Sequence, residues 1–184
     1  MSGKYSVFLT PAEEDYRYLE GMIAGLADRY GGPPFQPHVT LYSGLTDDVP
    51  LVAGTVSAVA AEFSPFSLRI TGVEATEAYF RSVFVTFETH PSPFRIHDLV
   101  KHRLREDSGY RLFPHLSLAY LDVPLAEKQK ICAGIVLDRR VIRFDELRVV
   151  VPADEEKGWR GTDRWVVGGQ SALGREMAGK RGAP

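Results

Sequence analysis

Two tetrapeptides carry the chemistry of this chain: Pro37-His38-Val39-Thr40 and Pro114-His115-Leu116-Ser117. On an extended strand, side chains two apart share a face, so His38 projects with Thr40 and His115 with Ser117. Each pair sets an imidazole beside a hydroxyl. Neutral imidazole accepts a proton and imidazolium donates one, and an ordinary pKa near 6.5 keeps both forms within reach at neutral pH. Opening a phosphodiester with water needs a base for the attacking water and an acid for the departing alkoxide, each worth roughly 100- to 10,000-fold. The Thr40 and Ser117 hydroxyls can donate to the non-bridging phosphate oxygens, where charge builds. Such a site calls for neither a metal nor an organic cofactor. A lone His-x-Thr is more often a satisfied strand histidine. The doubling, with Pro before each His and Leu three residues after it, points to function.

The elements that must position these pairs repeat as well. Residues 6–10 read SVFLT and residues 82–86 read SVFVT, an offset of 76. PHVTL at 37–41 matches PHLSL at 114–118 at an offset of 77, and Leu68-Arg69 aligns with Leu147-Arg148 at 79. The repeat therefore runs over about 4–76 and 80–152. In the first copy the pattern predicts a strand over Tyr5–Leu9 and a helix from Pro11, with acids in its first turn, to Gly31-Gly32. A strand carrying His38, a helix over Leu51–Phe63 and strands at about 66–75 and 81–88 follow. The second copy gives a helix over Pro93–Glu106, a strand over Pro114–Asp122, a helix over Leu125–Val136 and strands near 141–151 and 164–170. The expected fold is α+β: two pseudo-symmetric lobes of mostly antiparallel sheet, helices outside, in one unit over residues 1–173. Equivalent strands then bring both His pairs to a central cleft. The Gly-, Ala- and charge-mixed tail, 174–184, is expected to fray.

Composition narrows the partners. With 22 basic against 24 acidic residues and a net charge of −2, no whole-molecule positive field exists to grip duplex DNA. One cysteine, Cys132, forms no internal disulfide, so a reducing compartment, the cytoplasm, is expected. The first residues turn acidic after a short apolar run and read as strand and helix start, not as a signal peptide. No run of 18 apolar residues exists to span a membrane. His97 and His102 lie about 140° apart around a helix, so they share no face as metal ligands would. His90, before Pro91, reads as a strand end or turn, and Cys132 as a small buried hydrophobe. Phosphate-binding, dinucleotide and Ser-hydrolase glycine motifs are absent. For a nucleobase, the aromatic candidates are the repeat-matched Phe8 and Phe84, together with Tyr79, Phe80 and Trp165. Arg81 is a candidate for a phosphate or ribose. Simple strand alternation puts Tyr42 on the His38 face and Tyr120 opposite His115, unless a bulge or strand end intervenes.

PHVTLY and PHLSLAY, in two copies of one unit, resemble the paired motifs of the 2H phosphoesterase superfamily. With KYSVF at the N-terminus, YFRSVF at 79–84, Tyr120 and Trp165, the chain is most similar to the cyclic phosphodiesterase branch of plants and fungi. The resemblance implies a bilobal fold and hydrolysis of nucleoside 2′,3′-cyclic phosphates or ADP-ribose 1″,2″-cyclic phosphate without metal; no cofactor is expected, and a monomer is. It implies His38 and His115 as the catalytic pair and Thr40, Ser117 and Tyr120 as phosphate ligands. We assign His115 as base and His38 as acid. The RNA-end phosphodiesterase and 2′,5′-RNA ligase branch is the sibling reading. A nucleotide- or RNA-binding module without turnover is the reading from another class.

Overall fold

The computed structural model describes residues 3–153 and 165–174. The expected tail beyond Gly174 lies outside the described residues. The chain runs β1 (Gly3–Pro11), α1 (Glu13–Tyr30), β2 (Val39–Thr46), α2 (Val49–Ala60), β3 (Phe66–Ala75) and β4 (Val83–Phe87). It continues with α3 (Pro91–Leu104), β5 (His115–Ala119), α4 (Leu125–Gly134), β6 (Val141–Pro152) and β7 (Trp165–Ala172). A short 3₁₀ turn over Tyr79–Arg81 precedes β4. Helix α1 begins with Glu13, Glu14 and Asp15 against the positive end of its dipole. It ends where Gly31 takes φ 77°, a left-handed cap that glycine adopts without a Cβ penalty.

All strand pairs are antiparallel, and the sheet order is β2-β1-β6-β3-β4-β5, with β7 also on β6. The α+β class is as expected, but the two copies are interlaced. The last strand of the first copy, β3, pairs with β4, while β6 of the second copy lies against β1. Helices cross over too: α1 packs on β5, and α3 on β2. The physical reason is that β6, with 12 residues, is long enough to pair with β3 through 141–144 and with β1 through 144–150. One continuous sheet results. The core lies between it and the helices, built from Val7, Leu9, Leu41, Val85, Leu116 and Phe144, each fully buried. Among the described residues no helix is long and apolar enough to cross a membrane.

Candidate active site

Each His strand carries the same defect. In β2, Phe8 faces Thr40 and Val7 faces Tyr42, so Leu41 is bulged out of register. In β5, Phe84 faces Ser117 and Val83 faces Ala119, so Leu118 is bulged. An extra residue reverses alternation from that point on. Thr40 and Ser43 therefore share the open face, as do Ser117 and Tyr120, while Tyr42 and Ala119 turn inward. This corrects the expectation for Tyr42: its ring is buried and its hydroxyl donates to the Glu106 carbonyl (3.1 Å). It also explains how Tyr120 reaches the site. His97 steadies the first bulge, its Nδ1 donating to the Leu41 carbonyl at 2.8 Å.

A cavity of about 540 Å³ opens on this face, lined by His38, Thr40, His115, Ser117, Tyr120 and Trp165 among others. The two imidazoles share one anchor, a carbonyl two residues back, and His115 has the Phe80 carbonyl as a second backbone partner. His38 Nδ1 donates to the Gln36 carbonyl (2.6 Å) and His115 Nδ1 to the Phe113 carbonyl (2.7 Å). A carbonyl only accepts, so in neutral imidazole the proton sits on Nδ1 and Nε2 keeps its lone pair for a ligand. Ser117 Oγ donates to the Phe80 carbonyl at 3.0 Å, and the Ser6 and Ser43 hydroxyls pair at 2.5 Å.

The repeat-matched phenylalanines back the histidines. Phe8 stacks on His38 with centroids 3.6 Å apart, and Phe84 meets His115 edge-on at 5.3 Å. Phe84 is buried and does not line the cavity, and Phe8 exposes only 2% of its surface, so neither offers a face to a nucleobase. Both point under the histidines because they sit opposite Thr40 and Ser117 in the ladders. Trp165 tilts against Phe8 (5.0 Å) and His38 (5.6 Å). Arg81 ends the 3₁₀ turn with its guanidinium 5.7 Å from the Phe113 ring.

Burial sets the electrostatics. Desolvation pushes His38 down from 6.5 to about 4; the Gln36 carbonyl opposes and His115 adds to the fall. His115, partly buried, is lowered first by desolvation, with Arg81 also depressing it against the Phe113 and Phe80 carbonyls. Desolvation raises Tyr120, opposed by the Ser117 hydroxyl, and pushes Tyr110 up to about 12. Among the described residues no cluster of three or more His, Cys, Asp or Glu could hold a metal ion. His90 caps α3 through Nδ1, and Cys132 is half-buried in α4.

Sequence reasoning missed Ser6, Ser43 and the loop residues Tyr110, Arg111, Leu112 and Phe113, all lining the cavity. Ser43 was within reach: it is the repeat mate of Tyr120 at the same offset of 77 as the histidines. The loop carries no periodic signal.

The family signature described as cyclic phosphodiesterase-like protein matches residues 1–172. The chain belongs to that family. It is accordingly a hydrolase acting on phosphodiester bonds. A cyclic phosphodiesterase of Arabidopsis thaliana is 23% identical over 125 residues, 68% of this chain and 69% of the relative. In fold, this cyclic phosphodiesterase-like chain is similar to the crystal structure of a Thermus thermophilus protein, with a TM-score of 0.63 and 19% identity. That match covers 95% of this chain and all of the other. The crystal structure of Escherichia coli LigT complexed with 3′-AMP gives a TM-score of 0.60 at 12% identity, covering 95% of this chain and 100% of LigT.

Proposed function

We propose that this chain hydrolyses a small cyclic phosphodiester: a nucleoside 2′,3′-cyclic phosphate to the 2′-phosphate, or ADP-ribose 1″,2″-cyclic phosphate to the 1″-phosphate. The observation that carries this reading is the pair of imidazoles, each tied through Nδ1 to a carbonyl, in one cavity with Thr40 and Ser117. His115, the more open of the two, takes a proton from the attacking water. The new P–O bond forms as the P–O3′ bond breaks, and His38 gives its proton to O3′. Thr40 Oγ1, Ser117 Oγ and the Tyr120 hydroxyl donate to the non-bridging oxygens, Ser117 by turning its O–H from the Phe80 carbonyl. Acid and base are both side chains, so neither proton transfer calls for a metal. Trp165 and the Tyr110–Phe113 loop offer the surfaces for the base and sugar.

A second reading, an RNA end as substrate, is favoured by one feature. Among the described residues, Arg81 and Arg111 line the cavity and no carboxylate does. The 3′-AMP complex of LigT fits either reading, since both bring a nucleotide to the cavity. We take the working unit as a monomer over residues 1–173, in the cytoplasm that its lone Cys132 suits.

The deciding experiment follows 2′,3′-cyclic AMP by phosphorus NMR in excess EDTA, beside His38→Ala and His115→Ala. Conversion to the 2′-phosphate by wild type and loss in both variants is expected. Turnover that survives both substitutions overturns the mechanism.

A further inference from the structure

The two histidines are anchored alike but not equally supported. His115 lies within β5, paired across the ladder with Thr86. His38 precedes β2, whose pairing with β1 begins at Val39; both anchoring carbonyls, Gln36 and Phe113, lie in irregular loops, but of the two imidazoles only His38 also stands outside its strand. A carbonyl in such a loop drifts unless something ties it down, and an imidazole whose Nδ1 partner drifts samples the other tautomer.

The tie is Arg148 on β6. Its Nη1 donates to Gln36 Oε1 at 3.2 Å. The guanidinium is itself fixed: Nε bonds the Glu146 carboxylate, two residues back on the same face, and the Tyr16 ring lies 5.5 Å beneath it. Arg148 and Glu146 side chains are each only 22% exposed, so the pair is shielded from solvent. Across the β1–β6 ladder Arg148 faces Phe8, whose ring stacks on His38. The same strand position thus backs the imidazole through Phe8 and steers it through Gln36.

The repeat shows that this is specific to one histidine. The counterpart of Gln36 is Phe113, which has no side-chain amide to tether, and the residue that faces Phe84 as Arg148 faces Phe8 is the acid Glu74, while Arg69, the sequence match of Arg148, pairs with Glu88 at the surface. We propose that Arg148 is a positioning residue for His38, acting through the Gln36 amide to hold the Nδ1–H tautomer with Nε2 aimed into the cavity. It touches neither substrate nor reacting atoms. The proposal rests on the proposed hydrolysis for its kinetic arm only.

The test compares wild type with Arg148→Met, Gln36→Leu, the double variant, Arg148→Lys and Arg69→Met. On 2′,3′-cyclic AMP, Arg148→Met is expected to lower kcat about 10- to 100-fold with KM within about twofold, the size seen when outer partners of functional histidines are removed. Gln36→Leu should match it, the double variant should be no worse than either single, and Arg148→Lys should recover part of the loss. Arg69→Met should leave kcat unchanged. Nitrogen-15 NMR of the imidazoles should show His38 as the Nδ1–H form in wild type and a tautomer mixture in Arg148→Met, with His115 unaltered. An unaltered His38 spectrum, or losses that multiply in the double variant, overturns the proposal. If wild type leaves the nucleotide intact the hydrolysis reading fails, while the NMR arm still decides the relay.

Discussion

Binding of a cyclic phosphate should draw a proton onto His38. In the free protein, burial holds this imidazole at about 4, so at pH 6 only about 1% carries a charge. An acid for the leaving oxygen must be protonated, and the missing free energy is calculable. Returning His38 from about 4 to its ordinary 6.5 takes about 3 kcal/mol. A phosphate charge about 4 Å away, at an effective dielectric near 20, supplies roughly 4 kcal/mol. The two magnitudes match, so the anion recharges the imidazole that burial had neutralised. The assay is titration calorimetry at pH 6 in two buffers of different ionisation enthalpy, with 2′,3′-cyclic AMP and His115→Ala. That variant removes the base, so the diester persists, and the diester itself does not titrate near this pH. About three quarters of a proton should be taken up per bound nucleotide, and affinity should rise as pH falls from 6.5 toward 4. His38→Gln in the same background should abolish the uptake. Tight binding with no proton exchanged would refute the recharging argument and the acid role of His38 with it.

Other outcomes follow from the same geometry. Stability should fall by up to about 3 kcal/mol through His38 as pH drops from 6.5 to 4, because the unfolded chain binds a proton there that the folded chain refuses; urea unfolding of His38→Gln should lack that component. Tyr120→Phe should slow hydrolysis about 10-fold or more while Tyr42→Phe leaves kcat within about twofold, a kinetic comparison that reads the bulge parity directly. Arg111→Gln should raise KM for a 5′-phosphorylated 2′,3′-cyclic nucleotide about 10-fold at low salt, with the effect shrinking by about 0.5 M NaCl, measured by initial rates. His97→Phe removes the donor to the Leu41 carbonyl and should cost about 1–3 kcal/mol in thermal unfolding.

The candidate site of this protein was legible because its motif is written twice. Pro-His-x-Ser/Thr at an offset of 77 singled out His38 and His115 among five histidines, and both line one cavity. Most elements lie where periodicity and turn residues put them, β3 at Phe66–Ala75 among them. Simple alternation misreads Tyr42 and Tyr120 because a bulge is a matter of pairing register, which residue types do not announce. Phe8 and Phe84 are matched in the repeat, yet a phenylalanine on a strand looks the same whether it backs an imidazole or awaits a base. The loop over Tyr110–Phe113 follows no period, and only the hydrogen bond of the Tyr110 hydroxyl to the Thr40 carbonyl (3.0 Å) reveals that it roofs the other copy's motif. Strand order was hidden for a similar reason: a repeat in sequence says which segments are alike, not which of them are neighbours.

The crossing of β3 and β6 between the copies also sets the order in which the protein can be made. Strand β1 finds its second neighbour more than 130 residues later, through pairs such as Leu9 with Leu147. A chain emerging from the ribosome therefore holds its first strand with one free, apolar edge until β6 has been synthesised, the condition under which edge pairing with other chains begins. Folding should be slow for a domain of this size, since its sheet closes through distant contacts. A break in the backbone between the copies leaves neither fragment with a complete sheet, so the halves should regain structure only when mixed.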